Sequence, residues 1–136
     1  MREAVIVSAA RTAIGRAKKG SLRDTRPEYF ASELLKGLIE RTPGVEPEMV
    51  SDVLFGCAMP EGEQGLNVAR LALLRAGLPF TVTGLTVNRF CASGLEAVHA
   101  ASTSVALGQA QAVLAGGVES MSMIPMGGNR MSPNPD

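Results

Sequence analysis

In the segment Thr86-Val87-Asn88-Arg89-Phe90-Cys91-Ala92-Ser93-Gly94-Leu95, a thiol stands between an apolar, β-prone run and the start of a helical pattern. A helix amino terminus presents unpaired backbone N–H groups and the positive end of the macrodipole, and both favour a thiolate over a thiol. Cys91 is therefore a candidate nucleophile. The same amides would be placed to receive the oxyanion formed when sulfur attacks a carbonyl. Small Ala92, Ser93 and Gly94 would let a substrate come close. A free cysteine is also among the most commonly buried residue types, so spacing alone leaves packing and catalysis both open.

The other candidates are weaker on physical grounds. His99, the single histidine, lies eight positions after Cys91 on the same predicted helix, roughly 12 Å away at 1.5 Å per residue. That exceeds hydrogen-bond reach, so His99 reads as a structural or partly exposed residue. Cys57 follows a strand-like run and reads as a small buried hydrophobe. Glu61, Glu63 and Glu119 are loop carboxylates without the histidine or cysteine spacing of a zinc or iron site, so no metal is expected. Gly116-Gly117 lacks a phosphate-loop lysine or a dinucleotide fingerprint and reads as a tight bend. Gln64, Asn67 and Arg70, spaced three and three, fall roughly on one helix face, where capping and solvation are their ordinary roles.

Alternating elements would position these groups. Ala4–Ala10 is a short apolar run rich in β-branched residues, predicted as a strand buried on both faces. Thr25-Arg26-Pro27-Glu28 offers a capping box with an early proline, ahead of a helix carrying Phe30, Leu34, Leu35, Leu38 and Ile39 that stops at Thr42-Pro43-Gly44. Val53–Cys57 is a second predicted strand. A Gly-rich acidic loop follows, then a helix capped by Asn67 and ended by Gly77-Leu78-Pro79. Thr83–Val87 is the third strand, a helix from near Cys91 to Gly108 comes next, and Ala112–Ala115 is the fourth strand. Strands alternating with helices predict an α/β fold, a mainly parallel sheet with helices on its faces. Residues 1–120 read as one incomplete domain, and 121–136 as the truncated start of a loop region.

Composition excludes several classes. The 136 residues, 46% hydrophobic, suffice for one core, and thirteen basic residues balance thirteen acidic ones. Neither sign forms a run that would mark a nucleic-acid or anionic-membrane surface, which leaves small acidic or neutral metabolites as ligands. No apolar stretch reaches the roughly 20 residues of a membrane span, and the opening is unlike a signal peptide. Two cysteines make no disulfide framework, so a reducing, cytoplasmic setting is expected.

Four segments resemble the thiolase family. These are Val5–Arg16, with Ala13 where thiolases more often have proline; Gly62–Arg70; the Cys91 segment Asn88–Leu95; and Ala115–Ser122. They occur in the family's order across nearly the whole chain. The resemblance implies the amino-terminal half of a thiolase, with acyl transfer between Cys91 and coenzyme A: thiolytic cleavage of a 3-ketoacyl-CoA or the reverse condensation. Asn88–Gly94 is closer to the degradative branch. It also implies acyl-CoA and coenzyme A as substrates with no resident cofactor, and a homodimer or homotetramer with Gln64, Asn67 and Arg70 near a subunit contact. An activating histidine and a second cysteine would come from a carboxy-terminal half that these residues do not contain. A 3-ketoacyl carrier-protein synthase is an alternative that Gly116–Ser122 disfavours. The other is a catalytically silent folding or oligomerisation module.

Overall fold

The structure, a computed structural model, describes residues 2–136. Its helices and strands run in the order α1 (Pro27–Glu40), β1 (Val50–Gly56), α2 (Val68–Arg75), β2 (Thr83–Val87), α3 (Ser93–Ala106) and β3 (Ala112–Gly117). Among the described residues the three strands form one parallel sheet in the order β2-β1-β3. Gly56 at the end of β1 lies level with both Val87 and Gly117, so all three strands deliver their carboxyl ends to one edge.

β1 is central, and its side chains alternate between two covered faces. Val53, Phe55 and, just past the strand, Cys57 pack with Leu35, Val68, Ala69, Ala72 and Leu73 of the α1–α2 layer. Leu54 points the other way, onto Ala97 and Ala101 of α3. Two covered faces account for the unbroken apolar run read in the sequence. Each large apolar side chain buried in this way contributes about 1.5–3 kcal/mol. The Arg75 guanidinium, 3.6 Å from the centre of the Tyr29 ring, ties α2 to α1.

Two expectations are corrected. Ala4–Ala10 forms no strand: Val5, Ile6 and Val7 are 68%, 80% and 70% exposed. A strand gains its stability from a ladder and from cover on its faces. Of the two edge strands, β2 has its outward carbonyls of residues 82 and 84 taken by Arg70 and Asn67, and β3 has side chains that are only half-buried, so a neighbour there would gain little burial. The capping box does not form either. Pro27 opens α1 as predicted, but the residue before a proline is pushed to extended backbone. Arg26 (ψ 139°) therefore takes the cap position without a side-chain cap bond, and Thr25 falls outside it. Glu28, free of a capping role, pairs with Arg26 at 2.5 Å.

Candidate active site

The loops that leave β1, β2 and β3 converge at the carboxyl edge of the sheet, where ligands bind in open parallel sheets as a rule. The β2 loop carries Cys91, whose surroundings are exposed. α3 begins at Ser93, two residues later than the thiol, and Phe90 stands at φ +50°, a left-handed conformation that costs a non-glycine residue about 1–3 kcal/mol. Several bonds hold this elbow. Phe90 N donates to Asn88 Oδ1 (2.8 Å), Arg89 N to Ser93 Oγ (2.8 Å), and Ser93 Oγ to Phe90 O (2.6 Å). Arg89 also pairs with Glu96 across the first turn of α3 at 2.9 Å.

The amides of Ala92 and Ser93 donate to the carbonyls of Arg89 and Phe90 at 3.0 and 3.1 Å. Two of the amides that the sequence offered as oxyanion donors are thus spent in closing the turn. Gly56 explains how α3 can start so near the sheet. A Cβ there would lie 2.6 Å from the Ser93 oxygen and closer still to the Ser93 carbonyl carbon and Gly94 nitrogen, so only glycine lets the elbow rest on the end of β1.

The loops after β1 and β3 meet at Glu119. Its carboxyl group accepts from Ala58 N (2.7 Å), Met59 N (3.2 Å) and Gln64 Nε2 (2.8 Å) and lies 3.8 Å from the Cys57 thiol. Burial, and next the neighbouring Glu119 charge, push the Cys57 thiol up to about 12. Cys57 is thus a buried, neutral thiol, the packing role read for it. Glu119 was read as a solvated loop carboxylate, and its role as a common acceptor for three amide N–H groups was missed. A carboxylate two residues after Gly116-Gly117, just past a strand end, was the available signal, because strand-end backbone amides need acceptors.

The remaining sequence candidates do not gather at Cys91. His99 is an exposed residue of α3. Gln64 is fully buried, its Oε1 accepting from Ser120 N and its Nε2 also donating to Met59 O (2.9 Å). Asn67 caps α2 as expected, accepting from Arg70 N at 3.2 Å, and donates to Gly84 O at 2.7 Å. Arg70 donates to Phe80 O (2.9 Å) and Val82 O. Val87 O bonds toward β1, to Cys57 N. The alternation of a strand then turns the carbonyls of residues 82 and 84 to the outer edge of β2, where Arg70 and Asn67 cover them. Glu61 accepts from Asn129 N at 3.3 Å, and no group of metal-ligating side chains occurs among the described residues. No helix among them is long and apolar enough to cross a membrane.

Residues 4–134 match the thiolase N-terminal domain family. The 3-ketoacyl-CoA thiolase of Bacillus subtilis is 48% identical over 134 residues, covering 98% of this chain and 34% of the relative. That of Colwellia psychrerythraea is 48% identical over 126 residues, covering 93% and 33%. The crystal structure of the Bacillus anthracis acetyl-CoA acetyltransferase superposes with a TM-score of 0.85 at 36% identity, over 98% of this chain and 35% of that one. The chain thus spans about a third of the length of the curated relatives it matches.

Proposed function

Since the chain belongs to the thiolase family, we propose that Cys91 is the nucleophile of a thiolase-type acyl transfer between the enzyme and coenzyme A. The observation that carries this reading is the exposed thiol on a braced left-handed elbow at the amino end of α3, in contrast to the second cysteine, Cys57, which is buried and neutral. Cys91 Sγ attacks the thioester carbonyl of an acyl-CoA. The tetrahedral adduct collapses, the bond from carbonyl carbon to coenzyme A sulfur breaks, and the thiol proton ends on the departing coenzyme A. The products are an acyl-Cys91 thioester and free coenzyme A. This is the condensing direction, in which a second acyl-CoA then takes the acyl group from Cys91. In the cleaving direction Cys91 Sγ attacks the 3-keto carbonyl of a 3-ketoacyl-CoA, the C2–C3 bond breaks, and C2 takes a proton so that acetyl-CoA leaves. The coenzyme A thiol then takes the acyl group and returns the Cys91 thiol, with no resident metal or redox group required.

As the resemblance to thiolases implies, the base that takes the thiol proton is a histidine of a carboxy-terminal half; His99, an exposed residue of α3 eight positions beyond Cys91, does not fill that role. Alone, the chain does not turn over. A subunit contact through residues 64–70 would use Leu66, which is exposed, together with the outward faces of Asn67 and Arg70, since Gln64 is wholly internal. Intact mass after exposure to acetyl-CoA tests the central assignment, using the chain joined to the carboxy-terminal two-thirds of the Bacillus subtilis relative. An acetyl adduct lost in Cys91→Ala and kept in Cys57→Ala is expected. An adduct that survives Cys91→Ala overturns the assignment.

A further inference from the structure

We propose that Glu119 and Gln64 are positioning residues for Cys91, acting through a continuous hydrogen-bonded path that joins all three strand-end loops; this rests on reading Cys91 as the nucleophile. The path starts in the interior, where Gln64 is fully buried and both ends of its amide are used, by Ser120 N on one side and by Met59 O and Glu119 on the other. Glu119 then takes Ala58 N and Met59 N, which fixes the peptide between Ala58 and its neighbours. The carbonyl of that same Ala58 accepts from Asn88 Nδ2 at 3.0 Å. The other end of the Asn88 amide, Oδ1, accepts from Phe90 N at 2.8 Å, one residue before the thiol.

Each link is specific to its chemistry. Three N–H donors and a thiol face the Glu119 carboxyl group, so an acceptor without donors fits there and a glutamine would turn its NH2 toward at least one N–H. Asn88 must donate and accept at once, which aspartate cannot do. Phe90 occupies a left-handed conformation that its own side chain does not favour, so the elbow stays in place only while its surroundings hold it. The Asn88 bond is the point at which the sheet edge reaches it.

Residue-resolved amide hydrogen exchange on this chain tests the path, with Glu119→Gln and Asn88→Asp singly and together. Each single variant is expected to speed exchange at Phe90, Cys91 and Ala92 by about tenfold or more, with α1 unchanged, as in a local opening. The double variant should be no faster than the faster single one, since two breaks in a series path do not add. Asn88 is exposed, so Asn88→Asp keeps the test available if Glu119→Gln unfolds the chain. Glu119→Gln exchange confined to Ala58, Met59 and Ser120, or additive effects in the double variant, would overturn the proposal. In steady-state thiolysis of acetoacetyl-CoA by the joined enzyme described above, Glu119→Gln is expected to lower kcat about tenfold and leave KM within about twofold, a split that general loosening would not produce. Failure of the parent to form any Cys91 adduct counts against the proposed function alone, because the exchange result stands without it.

Discussion

Cys57 and Cys91 both lie just beyond the carboxyl ends of neighbouring parallel strands, yet their surroundings are opposite. Cys57 follows β1 directly and keeps the strand's alternation, so its thiol enters the α1–α2 core beside the Glu119 carboxyl group. Cys91 comes after three residues of loop, and the left-handed turn at Phe90 carries it out of the sheet to the surface at the start of α3. The residue type and the sheet edge are the same; what differs is the backbone between strand and thiol. The elbow sets which thiol is exposed, and it is held by bonds among Asn88, Phe90, Arg89 and Ser93 and by the bond from Asn88 to Ala58 O of the loop after β1.

The comparison breaks most severely at Gly56, which precedes Cys57 and abuts the Ser93–Gly94 backbone at the start of α3. Gly56→Ala drives a Cβ into the Ser93–Gly94 backbone, so α3 must shift. A loss of about 1–3 kcal/mol, the usual cost of overpacking, is expected from the denaturant midpoint, together with altered Cys91 labelling kinetics. Alkaline titration separates the two sites from the other side. The folded Cys57 thiol is held up at about 12, whereas an unfolded cysteine releases its proton near ~8.5. The unfolded chain therefore gives up this proton first. The stability tied to the neutral thiol is complete below pH ~8.5 and is lost as pH rises through about 12. The denaturant midpoint should fall across that window, and fall less in Cys57→Ala. Asn67→Ala, which removes the α2 cap and the bond to Gly84 without touching either thiol, should cost about 1 kcal/mol and leave Cys91 labelling unchanged.

What was legible in the sequence follows from how local each signal is. Thr83–Val87, the Asn67 cap and the glycine stop at Gly77 are written in a few adjacent residues, and the structure places them where the patterns put them. The Ala4–Ala10 run carries an equally local signal but forms no strand, because strand formation depends on an edge and on cover that the run itself does not encode. Thr25 looked like a cap until Pro27 fixed the backbone of Arg26, a one-residue shift that steric exclusion decides. The place of Cys91 just before a helix was readable because the thiol, the small residues and the helix start are contiguous. Glu119 was not, because its partners Ala58, Met59 and Gln64 lie 55–61 residues away and only the parallel register brings them together.

The two thiols of the folded chain can be labelled side by side with iodoacetamide at pH 8 and read by peptide mass. With Cys57 buried and held up at about 12, Cys91 should react at least about 100-fold faster, since the thiolate is the reacting form. Comparable rates at both positions, under conditions where the chain remains folded, would contradict the claim that the elbow after β2 sets Cys91 apart.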